Sequence, residues 1–339
     1  MNQDPVTVER IDMLKAFPAL QLTKALRLGF RLRILVPCLI GVACWLIVGE
    51  VSGLHALTNE VLSPWADLRS PVLHSVTICS MLLANERPDA FVSLLLSLLL
   101  DMAVMAVVGV AVAKAAAADF CLATRVGALA GVRFSFRNVV GWLLSTGLSL
   151  AIVCVLLGTV SFAAWLVSLG AAGTTVVSVL WPIVFWVAVL TTITAVVCWL
   201  SWLLSLAAIG TDQCSGSDAL SRGINYVLSH KLTAIFYLVL TLLLSLINFA
   251  LIKTLLSSGE AILRSRLPDA FFEASAPSEG LGQPALFYWN RLITGLLPDA
   301  IHFGTFLSAI TLMYILLRQS EDAVRITEMD GAQRSTPKS

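Results

Sequence analysis

The chain has 339 residues, 58% of them hydrophobic and 13% charged, with a mean hydropathy of +0.88. A water-soluble domain carries roughly 25% charged residues on its surface, so this composition excludes an ordinary soluble globular protein. Its 22 basic and 21 acidic residues leave a net charge of +1, which gives nucleic-acid binding no support.

A helix crosses the hydrocarbon core, about 30 Å thick, with roughly 20 apolar residues. Six runs meet or approach that length, at 34–52, 91–113, 139–167, 179–204, 232–256 and 296–317. A segment of 33 residues precedes the first, longer than the charged leader of a secretory signal, so no signal peptide is expected. The third and fourth runs are almost continuous, and tryptophans divide them. Trp142 and Trp165 lie 23 residues apart, about 34 Å of helix; Trp181 and Trp199 lie 18 apart, about 27 Å. Indole rings favour the membrane interface, so each pair brackets one crossing. Gly170-Ala-Ala-Gly173 offers the turn between them, and Pro182 suits the first turn of the next helix.

With six crossings, residues 1–33, 114–137, 210–231 and the tail 318–339 share one side, which holds 16 Lys and Arg against 6 elsewhere. The positive-inside rule makes that side cytoplasmic, with both termini in the cytoplasm of a bacterial inner membrane. The outer connections, about 50–90 and 257–295, are too short for a separate domain. Within the first, Ser63–Pro71 reads as a turn and the apolar stretch 72–83 as a helix lying on the outer surface. The second, with Pro268, Pro277 and Pro284, reads as irregular. The tail is expected to be disordered from about 326. The fold expected is therefore an all-α polytopic transmembrane helix bundle of about six spans with short interfacial helices.

An echo precedes the first, third and fifth spans: Ala25-Leu-Arg-Leu-Gly-Phe-Arg-Leu-Arg33, Ala128-Leu-Ala-Gly-Val-Arg-Phe-Ser-Phe-Arg137 and Ala219-Leu-Ser-Arg-Gly-Ile-Asn-Tyr226. Each mixes apolar and basic residues, as a helix lying in the headgroup layer does. Arg27, Arg31, Arg33, Arg133, Arg137, Arg222 and Lys231 are the candidate contacts to anionic headgroups. A threefold repeat of two-helix units, as in transporters, is the competing explanation; interfacial elbows are preferred.

Asp101 lies near the middle of the second span, where a carboxylate costs about 2.5–3.5 kcal/mol to insert. Ser93, Ser97 and Asp101 share one helix face, and Tyr237, Thr241, Ser245 and Asn248 form a comparable stripe on the fifth span. The expectation is that these stripes face each other as a polar seam, so that cysteines at positions 97 and 245 cross-link. Asp101 is either a proton or cation relay or a hydrogen-bonded packing residue. With no other ionisable group at its depth, and His302 and Lys253 nearer the outer interface, packing is preferred. Asp119, Asp212 and Asp218 are too dispersed for a catalytic pair. The seven cysteines form no Cys-x-x-Cys and read as buried small hydrophobes, and the four histidines lack metal-ligand spacing. No catalytic residue, metal site or cofactor is expected.

The opening Leu14-Lys-Ala-Phe-Pro18, the middle motif Asp212…Ser217-Asp-Ala-Leu-Ser-Arg222…Tyr226, and the close Tyr314-Ile-Leu-Leu-Arg318 with Thr327-Glu-Met-Asp330 resemble a group of conserved inner-membrane proteins from planctomycete-type bacteria. The middle motif is also similar to membrane domains attached to glycerophosphodiester phosphodiesterases. The resemblance implies a polytopic membrane protein and supplies no active site; the phosphodiesterase activity is not expected here. A non-enzymatic structural, assembly or membrane-organising role leads. A small-solute or ion transporter working through the polar seam follows, then an intramembrane hydrolase.

Overall fold

The computed structural model describes residues 18–51, 71, 72, 74, 75, 78, 91–121, 126–266 and 291–322. The motif residues 14–17 and 327–330, the turn at 63–70, the prolines of 267–290 and the tail from 326 lie outside them. The described residues are almost all helical, and none is in a strand. After a 3-10 turn at Pro18–Thr23 come α1 (Lys24–Gly29), α2 (Leu32–Val51), α3 (Phe91–Cys121), α4 (Ala128–Arg137) and α5 (Val139–Ser168). There follow α6 (Ala171–Val179), α7 (Trp181–Asp212), α8 (Gly216–Ser229), α9 (Lys231–Arg266) and, after a π-helical turn at Arg291–Leu296, α10 (Leu297–Asp322). Six of these helices (α2, α3, α5, α7, α9 and α10) are long and apolar enough to cross a membrane. This is an integral, multi-pass α-helical membrane protein.

Several helices outrun their apolar cores. Span two continues through Lys114 along Ala115–Ala118 to Cys121, because alanine propagates a helix at no side-chain entropy cost. Span five continues to Arg266, so residues 257–266, expected to be irregular, are helical. There the Ser257 and Ser258 hydroxyls donate to the carbonyl of Thr254, so these polar residues extend the helix rather than end it. Between spans three and four the chain breaks at Gly170, whose φ of +88° suits glycine, and then forms the short helix α6 before Pro182 starts α7. Gly173 sits against the Leu166 carbonyl, where a Cβ would collide.

The echo segments are three short helices, α1, α4 and α8, each followed after one or two residues by a long span. They are elbows, and they also mark a repeat. Each unit comprises an elbow, an outgoing span and a returning span: α1–α2–α3, α4–α5–α7 and α8–α9–α10. Within each unit the two spans pack as a hairpin, and the three returning spans α3, α7 and α10 all touch one another as an inner core. Each elbow lies on the returning helix of another unit: α4 on α3, α8 on α7 and α1 on α10, which closes a cycle. A glycine makes each crossing close. Added Cβ atoms at Gly29, Gly131 and Gly223 would run into Thr305, the Ala111 carbonyl and the Ser201 carbonyl.

The last span is buried along its whole apolar length, with the elbow α1 and spans α2, α3, α7 and α9 around it. Asp299, His302, Thr305, Ser308, Thr311 and Tyr314 recur at every third position and are all buried. At 3.6 residues per turn a step of three winds about 60° around the helix, so this stripe meets several neighbours in turn. By contrast the far halves of α5 and α7, with α6, expose Phe162, Trp165, Trp181, Phe185 and Trp186. These large side chains leave an exposed apolar surface on helices of membrane-spanning length.

Candidate functional site

The buried centre is a carboxylate with two donors. Asp101 is fully buried on span two. Its Oδ1 accepts from the Trp45 indole N–H of span one at 2.7 Å, and its Oδ2 lies 2.8 Å from Nδ1 of His74. The indole and imidazole rings meet edge to face at 5.4 Å. Trp can only donate, so Oδ1 must be an acceptor. The proton between Oδ2 and Nδ1 sits on either atom: the ring donates to a carboxylate, or a carboxylic acid donates to the ring. The site therefore needs no net charge to be satisfied.

His74 brings in a segment outside the six spans. Residues 71, 72, 74, 75 and 78 are helical, and Val72, His74, Ser75 and Ile78 are buried against the rest of the protein. The Asp101 bond ties His74 to span two. Neither Trp45 nor His74 stands near Asp101 in sequence, so no local pattern marked them.

The expected seam between spans two and five does not form. The stripe on span five faces span six instead, where Asn248 Nδ2 donates to Thr305 Oγ1 at 2.7 Å. His302 Nδ1 lies 3.2 Å from the Ser245 carbonyl, which can only accept, so Nδ1 carries the hydrogen. Tyr237, Thr241 and Ser245 are buried on the same helix. On span two, Ser97 and Asp101 are buried and Ser93 is half-buried. Both stripes found polar surroundings, but in different neighbours. Cysteines at positions 97 and 245 should therefore fail to cross-link, whereas cysteines at 248 and 305, in a background free of native cysteine, should join readily under mild oxidation. Mobility on a non-reducing gel reads the outcome.

Spans three and four are joined similarly. Trp202 Nε1 donates to Thr146 Oγ1 at 2.9 Å, and the Ser145 and Ser205 hydroxyls lie 2.5 Å apart. The Ser205 hydroxyl also bonds the Trp202 carbonyl, so this serine pair fastens the two helices.

A second cluster lies where the elbows meet the ends of the returning spans. Asp212, at the end of α7, accepts from the Tyr314 hydroxyl at 2.7 Å, from Arg222 of α8 at 3.1 Å, and from Arg318 of α10. Tyr226 packs its ring 5.7 Å from that of Tyr314. Burial, and then the Asp212 carboxylate, push the neighbouring Cys214 thiol above its ordinary value, which keeps it protonated near neutral pH. Asp119, at the end of α3, is held between Arg31 at 2.5 Å and Arg33 at 2.6 Å. His230, at the hinge before α9, lies 2.7 Å from Glu321 of α10. Arg31, Arg33 and Arg222, expected to face headgroups, thus first neutralise acids of the protein. Arg27, Arg133, Arg137 and Lys231 are exposed.

The cysteines divide. Cys38 and Cys198 are buried as expected, Cys121 and Cys214 are half-buried, and Cys44 and Cys154, against the expectation, are exposed on apolar spans. Among the described residues no group of three His, Cys, Asp or Glu side chains could hold a metal ion. No family model, curated protein or solved structure matches this chain.

Proposed function

We propose that this protein is a non-enzymatic scaffold that organises a bacterial inner membrane. Its termini are cytoplasmic and its elbows lie among anionic headgroups on that side. One observation carries the reading: the single carboxylate deep in span two is wholly buried, with both oxygens engaged by side chains of two other segments. A relay group needs a route for its ion, and this one is spent on joining helices. Orientation follows the 16-to-6 excess of basic residues on the elbow side. Kinship with the inner-membrane proteins that the motifs resemble is proposed on a further ground. Asp212, Arg222, Tyr226, Tyr314 and Arg318, drawn from two separate motifs, gather in one cluster, which supports a shared structural signature.

A transporter is the second reading, favoured by the Asp101–His74 pair, since a carboxylate bonded to an imidazole can exchange a proton. Proteoliposomes separate the two. The scaffold reading expects proton and solute fluxes no higher than in protein-free vesicles. A flux that is present in the native protein and abolished in Asp101→Asn would overturn it in favour of the transporter.

A further inference from the structure

We propose that phosphate groups of anionic phospholipid are held at one sector of the bundle, the end of α3 between the first two elbows, rather than around the elbow side as a whole. The inference rests on the elbow–lipid reading above and narrows it.

The three elbows differ in charge. The elements that meet here carry seven bases: Lys24 and Arg27 on α1, which reaches Phe120 of α3 through Lys24, Arg31 and Arg33 at the start of α2, Lys114 on α3 itself, and Arg133 and Arg137 on α4, which packs on α3. Asp119 pairs with two of these seven bases, and Asp212 and Arg318 also reach Cys121 at the end of α3, adding one charge of each sign. Around the third elbow the balance is even: Arg222, Lys231 and Arg318 against Asp212, Asp218 and Glu321. The C-terminus of α3 contributes roughly half a negative charge, which leaves the first sector strongly positive.

Contacts bring these bases together. Elbow α4 packs on both α3 and α2. The Lys24 ammonium sits 4.8 Å from the centre of the Phe120 ring, and that of Lys114 sits 5.1 Å from the centre of Phe134. An aromatic face positions an ammonium without cancelling its charge. Lys24, Arg27, Arg133 and Arg137 make no ion pair among the described residues. Arg33 touches Asp119 as an ion contact, yet its Nη1 makes no hydrogen bond there.

The ligand chemistry follows from the donors and their setting. Guanidinium groups match a phosphate bidentately. The same elbows expose Phe30, Leu32, Leu129 and Phe136 beside the bases, so an apolar surface for acyl chains adjoins the charge. A free phosphate would leave that surface to water, whereas a phospholipid uses both.

The test counts bound lipid by native mass spectrometry of the purified full-length protein, offered phosphatidylglycerol or phosphatidylcholine. Arg27→Gln/Arg133→Gln should cut the preference for phosphatidylglycerol about tenfold, given the attraction each surface base contributes. Lys231→Gln, at an exposed base outside the Asp212 cluster, should change it less than about twofold if the site is local. Arg27→Lys/Arg133→Lys should retain it, which separates lost charge from damaged folding. Equal losses in the two glutamine variants would overturn the localisation and leave the elbow–lipid reading standing. Absence of any preference in the native protein would overturn both. Displacement of phosphatidylglycerol by millimolar inorganic phosphate would reassign the site to a free anion.

Discussion

Asp212→Asn should destabilise the bundle by about 2–3 kcal/mol, the largest loss expected from a single change on the elbow side. Asp212 joins three units of chain: its own helix α7, the third elbow through Arg222, and the central helix α10 through Tyr314 and Arg318. Asparagine keeps the shape and one acceptor but removes the charge that neutralises two guanidinium groups. Breaking a buried ion pair costs roughly 3–5 kcal/mol. The figure here is lower because Arg222 is 43% exposed and water screens it, while Asp212 and Arg318 are only 11% and 18% exposed. Denaturant or thermal melts in detergent give the comparison. Adding Arg318→Gln to Asp212→Asn should cost less than the sum of the two single changes, since each removes the same interaction. A single variant within about 0.5 kcal/mol of the native protein would mean that the cluster behaves as an ordinary surface pair.

What could be read from the chain follows from how far each signal reaches. Span number, the elbows and the division at Gly170 depend on hydropathy, charge and residues close in sequence, and all appear in the folded chain. Neighbour relations do not. The stripe on span five was legible as a polar face, but nothing within it says whether Asp101 or Thr305 lies opposite. A usable clue was present on span six: polar residues at every third position from Asp299 to Tyr314 wind around the helix. A lipid-exposed helix cannot present polar groups on successive sides, so this pattern marks the helix that the others surround. That span also has the lowest mean hydropathy of the six, 1.8 against 2.2 or more. The Ala-Leu echo has the same limit: three short matches favour elbows over a threefold repeat. Its repeat becomes visible through glycines, because Gly29, Gly131 and Gly223 each permit the same kind of close crossing.

Asp101 should prove more sensitive to loss of its hydrogen bonds than to loss of its charge. Asp101→Asn retains a carbonyl to accept from Trp45 and gains an amide to donate to His74 Nδ1, which mimics the protonated acid. Asp101→Leu fills similar space and removes the acceptor shared by the indole and imidazole. Leaving a buried polar group unsatisfied costs about 1–3 kcal/mol, so two such groups put the expected loss for leucine at about 2–5 kcal/mol, against less than about 1 kcal/mol for asparagine. Trp45→Phe, which removes one donor and keeps a ring against His74, should fall between them. Melts of the three variants in one detergent read the order. If asparagine is as damaging as leucine, the folded protein requires the ionised carboxylate, and His74 must then donate to it. That result would also raise the transporter reading, because a charge kept inside the membrane at such cost has work beyond joining helices. If asparagine is tolerated and leucine is not, the hydrogen bonds account for the residue: Asp101 ties Trp45 of the first span and the His74 segment to the second, and the charge it could carry is dispensable.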